Sequence, residues 1–115
     1  MQVDADGNDL AGIRSVFAQV PIGAYTGWNL GRKDHFEGGL CNLQGSFIPF
    51  AANRAERLAA GDPRLSIEER YPSKEAYVAA FKKAADGLVA QRYLLLEDAK
   101  LLIGRAESEG IRTAP

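Results

Sequence analysis

The sequence predicts a mainly α fold: a small helical domain with a long C-terminal helical hairpin, two short helices before it, and a short N-terminal β-hairpin leading into extended chain. Three observations lead there. Between Ser73 and Glu109, Tyr77, Phe81, Ala84, Ala85 and Leu88 recur at helical spacing, and Leu95, Ala99, Leu102 and Ala106 do the same after the apolar step Tyr93-Leu94-Leu95-Leu96. Lys82, Lys83 and Asp86, then Glu97, Asp98, Lys100 and Arg105, fall between the apolar positions, so each helix has one stripe to bury and the two stripes face each other. Cap signals punctuate residues 53–73, whereas proline and glycine interrupt the aromatic stretch before them.

In chain order, Gln2-Val3 and Leu10 flank Asp4-Ala5-Asp6-Gly7-Asn8-Asp9, a cluster suited to the turn of a small hairpin because Gly and Asn tolerate positive φ and Asp bonds to amides two residues on. Asp4, Asp6 and Asn8 also alternate like the first ligands of a calcium loop. That reading fails at the sixth position, where glycine is required and Asp9 stands, and at the twelfth, where Ser15 replaces the bidentate Glu. From Val16 to Leu30, Pro21, Gly23 and Gly27 weaken helix and central strand alike, which predicts extended chain whose rings pack on the helices. Residues 32–39 read as an exposed loop, and 40–50 as buried connecting chain or a short strand.

A helix over 54–60 starts at a capping box of Asn53 and Glu56 and leaves through Gly61 in a left-handed turn before Asp62-Pro63. Ser66 and Glu69 make a second box over a short helix ending at Tyr71-Pro72. Ser73 then caps the first long helix, with Glu75 against its dipole, and Gly110 reads as a left-handed cap for the last. Gly87 and Gly104 each cost about 1 kcal/mol inside these helices.

With 115 residues, 46% hydrophobic and 25% charged, the chain fits one domain over 1–115, divided into hairpin, extended chain and loops (1–52) and a helical part (53–110). A net charge of -1 supplies no electrostatic footprint for nucleic acid or an anionic membrane. No apolar run approaches the ~20 residues of a membrane span, and Met1 to Asp6 does not resemble a signal peptide. A chain that truly starts at Met1 is expected in the cytoplasm.

Chemistry-bearing residues are sparse. Cys41 is the single cysteine, which rules out an intrachain disulfide and a cysteine-rich zinc site. The glycines at 23, 27 and 31 lack the spacing and the Lys-Ser/Thr of a Walker loop, since Arg32-Lys33-Asp34 follows. His35 is the sole side chain with an unperturbed pKa near neutrality, but neither Ser15 nor Ser46 has a Gly-x-Ser-x-Gly setting, and a Cys41–His35 pair lacks a third group to orient the imidazole. The residues therefore imply no catalytic constellation, no metal and no cofactor.

The runs Tyr25-Thr26-Gly27-Trp28-Asn29-Leu30, Gly45-Ser46-Phe47-Ile48-Pro49-Phe50 and 54–64, with the tract ending Ser66-Ile67-Glu68-Glu69-Arg70-Tyr71, resemble the carboxy-terminal end of a family of long bacterial alpha/beta-hydrolase-domain proteins of uncharacterised function. The similarity runs from Val3 to about Glu107. Ser15-Val16 and Gly31 depart from the Leu-Pro pair and the Arg expected there. An alpha/beta hydrolase works with a serine on a sharp strand-to-helix turn, an acid, a histidine and an oxyanion hole. This chain has no such serine turn, so the resemblance implies a non-catalytic C-terminal helical segment of a serine hydrolase, with the catalytic part upstream in a longer parent as its partner. Tyr25, Trp28, Phe47 and His35 are the expected contact surface. The alternative is a stand-alone interaction or oligomerisation module that uses the aromatic stretch 16–50.

Overall fold

The computed structural model describes residues 2–34, 36–40 and 44–111. Its elements are α1 (Val16–Gln19), β1 (Gly23–Thr26), β2 (Ser46–Pro49), α2 (Arg54–Ala60), α3 (Ile67–Arg70), α4 (Lys74–Ala90) and α5 (Leu96–Glu109). The fold is mainly α, with the long helices α4 and α5 packed on each other and α1 laid against α4. The methylenes of Lys74, at the start of α4, lie 3.5 Å from where a Cβ on Gly110 would stand, so the two helices run antiparallel.

The α4 stripe is as its spacing predicts: Tyr77, Phe81, Ala85 and Leu88 are buried. On α5 the buried residues are Ala99 and Ala106, with Leu102 partly buried between them. Leu95 does not belong to that stripe. It is the N-cap of α5, has no side-chain capping bond and is 68% exposed, because the turn after α4 releases the chain before the α5 period begins. That turn is a Schellman motif. Tyr93 N–H donates to Leu88 C=O and Arg92 N–H to Val89 C=O, each at 2.9 Å, with Arg92 in the left-handed position (φ 65°) where glycine is usual.

The short helices follow their caps. Ser66 and Glu69 form the complete reciprocal box on α3. On α2, Asn53 Oδ1 accepts from Glu56 N–H at 2.9 Å, but the Glu56 carboxylate reaches Ala52 N–H (3.1 Å) and Asn53 Nδ2 (2.9 Å) rather than the Asn53 backbone amide. Gly61 is left-handed as expected, φ 64°. Gly110 differs: its φ of 69° is joined to ψ of −151°, an extended mirror-image conformation rather than a left-handed helical one, and again one that glycine alone adopts readily.

The first half departs further from expectation. Val16–Gln19 is a helical turn, not extended chain, because Ser15 Oγ accepts from Ala18 N–H and the helix breakers all lie after it. The predicted N-terminal hairpin is reduced to one antiparallel bridge, Val3 to Asp9. The two-stranded sheet lies elsewhere, pairing β1 with β2 in antiparallel register, Gly23 opposite Pro49 and Tyr25 opposite Phe47. Glycine is required at 23: a Cβ there would stand 2.6 Å from the Ile48 carbonyl oxygen and from the Phe47 ring.

The acidic turn at 4–8 is structural. Asp4 Oδ1 accepts from the amides of Asp6 (3.0 Å) and Asn8 (2.9 Å), and its other oxygen meets Arg14 at 2.7 Å. Asp6 pairs through both oxygens with Arg70, whose guanidinium lies 4.1 Å from the centre of the Phe50 ring. Both carboxylates are therefore committed to arginines, which fits a turn and not a calcium loop.

Two further ion pairs join α2 to α3 and the loop between them to the hairpin. Arg57 holds Glu69 through two nitrogens at 2.8 and 3.0 Å, and Arg64 holds Asp62 while donating to the Ile48 carbonyl at 3.3 Å. The Arg57 guanidinium, with the Ser66 amide and hydroxyl, lowers the Glu69 pKa to about 2; Arg64 lowers that of Asp62 to about 2. In an unfolded chain these groups titrate near 4.5 and 3.8. Their stabilisation is thus complete above about pH 5 and is lost as pH falls towards 2. Urea midpoints are expected to fall across that window, and Glu69→Gln to have a lower midpoint at pH 7 with a shallower acid slope. An unchanged slope in the variant would count against this assignment.

Candidate functional site

Tyr25 is positioned from both edges of β1. On one edge β2 pairs with it, and the Phe47 ring lies 5.0 Å away, in register. On the other edge the Asn8 side chain stands in for a strand: its Oδ1 accepts from Tyr25 N–H at 2.7 Å and its Nδ2 donates to Gly23 C=O at 3.3 Å. Asn8 is 1% exposed, so a primary amide here satisfies one donor and one acceptor that water does not reach.

The Tyr25 ring faces a groove of about 250 Å³ between α1, β1, α4 and α5. Phe17, Ile22, Phe81 and Leu102 form its apolar walls. The room comes from α5, where Ala106 and Gly110 carry almost no side chain opposite Tyr77 and Phe81. Arg105 and Glu109 stand at the exposed rim. Phe17 packs edge-on against Phe81 with centroids 5.8 Å apart, and its own exposure of 44% marks the mouth.

Three phenols gather beside this groove. Tyr71 donates to the Pro21 carbonyl at 2.9 Å, and its ring meets Tyr77 edge-on at 5.1 Å. Burial pushes the Tyr71 pKa up to about 12, against a smaller opposing pull from Arg70. Burial likewise raises the pKa of Tyr77, and that of Tyr25, where the neighbouring Tyr77 adds to it. All three are protonated donors near neutral pH. Tyr77 is 5% exposed and packs its ring between Tyr71 and Phe81.

Of the residues singled out from the sequence, Tyr25 lines the groove and Phe47 braces it from the hairpin. Trp28 is not brought to it. It lies past the end of β1, 45% exposed, with its carbonyl accepting from the Thr26 hydroxyl at 2.7 Å. His35 and Cys41, and any pairing of the two, lie outside the described residues. Asn8, Tyr77 and Arg105 are the residues that sequence reasoning missed. The available signal was Ala106-x-x-x-Gly110, a small-residue extension of the α5 stripe opposite two large rings.

The serines carry local structure. Ser15, Ser66 and Ser73 cap α1, α3 and α4, and Ser108 Oγ donates to the Arg105 carbonyl. Ser46 begins β2, paired with Thr26 in the antiparallel register. Among the described residues no group of three or more His, Cys, Asp and Glu side chains is placed to hold a metal ion, and no helix is long and apolar enough to cross a membrane.

Fold and groove together define a small mainly α domain in which a β-hairpin and two long helices frame an aromatic cleft. The family described as alpha/beta hydrolase domain matches residues 1–104, and the chain belongs to that family. Neither the curated proteins nor the solved structures gave a match.

Proposed function

We propose that this chain is a non-catalytic helical segment of an alpha/beta (serine) hydrolase, which supports or covers a substrate cleft made by an upstream region of a longer parent. The observation that carries this reading is the use of the serines: three are committed as helix caps, one to a helix carbonyl and one to the first position of a paired strand, so none occupies the strand-to-helix turn that exposes a nucleophile. Family membership supplies the hydrolase context. The residues available for such a contact include Trp28, Leu30 and Ile48, each nearly half exposed.

The test is an esterase assay of the full chain on short activated acyl esters, beside His35→Ala. No turnover above background is expected, together with a Gly-x-Ser-x-Gly turn encoded upstream in the parent gene. Turnover that His35→Ala abolishes would overturn the reading. The same exposed apolar residues support a second reading, an interaction or oligomerisation module. Sedimentation that stays monomeric at every concentration would count against it.

A further inference from the structure

The groove between α1, β1, α4 and α5 is lined mainly by carbon. Phe17, Ile22, Phe81 and Leu102 supply its walls, and Ala106 adds only a methyl group. Phe17 stays 44% exposed although it packs edge-on against Phe81, so part of this apolar lining is left in contact with water. The phenols of Tyr25 and Tyr77, held protonated by burial, bring no charge to it. At the exposed rim both signs occur, Arg105 and Glu109 standing one helical turn apart, so neither an anion nor a cation meets an unbalanced opposite charge there. The room is built into the backbone: Gly110 closes α5 with φ 69° and ψ −151°, a conformation that disfavours any residue with a side chain.

An apolar cavity of about 150 Å³ accommodates benzene. At about 250 Å³, this groove holds a body of about ten non-hydrogen atoms. We propose that it binds a small uncharged molecule with an aromatic or branched aliphatic body. Covering the exposed face of Phe17 and the walls behind it releases water from apolar surface, which supplies the affinity. A charged head group on the same body would give up hydration against apolar walls without a net opposite charge to replace it, so the site selects for neutrality. One uncharged hydroxyl can stay at the mouth, in water. The site does not rest on the hydrolase reading, because binding is measured on this chain whatever lies upstream.

The experiment is an amide chemical-shift titration of the isotope-labelled full chain at pH 7 with 3-phenylpropan-1-ol, 3-phenylpropionate and 3-phenylpropylammonium, which share one body and differ in head-group charge. The alcohol is expected to saturate with a Kd of about 1 mM or below and to shift the amides of Tyr25, Phe81 and Ala106. Each ion is expected to bind roughly tenfold or more weakly. Ala106→Leu, which fills the groove from α5, is expected to weaken the alcohol by roughly tenfold or more while the far-UV circular dichroism spectrum is kept. The titrations of the parent chain decide the assignment even where that variant fails to fold. No saturable shift, shifts centred on Trp28 or Tyr93 instead, equal binding of the alcohol and either ion, or undiminished binding to folded Ala106→Leu would overturn it.

Discussion

Replacing Phe81 with alanine is expected to lower the free energy of unfolding by about 3 to 5 kcal/mol. The ring is 2% exposed and is the point at which three parts of the chain meet. It packs edge-on with Phe17 of α1 and at a tilt with Tyr77 one turn earlier on α4, both at 5.8 Å, and it floors the groove beside α5. Truncation removes the transfer free energy of the ring and joins its volume to an existing cleft, so the neighbours cannot close around the void. Urea denaturation monitored by far-UV circular dichroism measures the loss. A shift below about 1 kcal/mol would mean that the contact between α1 and α4 does not hold the domain together.

Asn8→Ala is expected to cost about 2 to 4 kcal/mol, although it deletes only a small polar side chain. The loss leaves Tyr25 N–H and Gly23 C=O without partners at the buried edge of β1, and each orphaned group carries its desolvation penalty. Hydrogen exchange at the Tyr25 amide should accelerate in step with the loss of stability. Asn8→Asp sharpens the test. An ionised aspartate still accepts from Tyr25 but cannot donate to Gly23, and its charge would be buried at a position only 1% exposed. Burial raises its folded pKa above the unfolded value of about 3.9, so the penalty is largest above that range and shrinks as the carboxyl protonates. The gap between the variant and the parent should therefore narrow on going from pH 7 to pH 3. A gap that stayed constant, or an Asn8→Ala cost within about 0.5 kcal/mol, would show that water already satisfies this edge.

The pair of predictions separates two kinds of information. Phe81 is legible from spacing: it lies four residues from Tyr77 and from Ala85, on a stripe with lysines and aspartate on either side, and only a helix buried along one face produces that order. Ser66 with Glu69, Asn53 before Glu56, and Gly61 after Ala60 are legible for the same reason. Cap and period act within a few residues, so the chain itself carries the whole cause.

Asn8 could not be read that way. Its partners lie 15 and 17 residues on, and the amide does for β1 what a strand would do only because the N-terminal turn folds back onto that edge. The sheet partner of β1 starts 20 residues after it ends, beyond any local signal, and the bond from Arg70 to Asp6 spans 64 residues. The groove is of the same kind. Tyr25, Tyr77 and Arg105 belong to three elements and meet only when α5 lies back along α4 with Ala106 and Gly110 leaving space.

By itself, then, the sequence determined the mainly α class, the extents of α2 and α3, the start of α4, the caps that begin these helices and the family to which the chain belongs. Each of these follows from side chains acting on their own backbone or from residues read in order. Tertiary structure alone decided the placement of the β-pair, the anchoring of its free edge by Asn8, the exposure of Leu95 and Trp28, and the convergence of two phenols on one cleft. Those depend on which surfaces meet, and that is settled by the packing of whole elements rather than by the residues of any one of them.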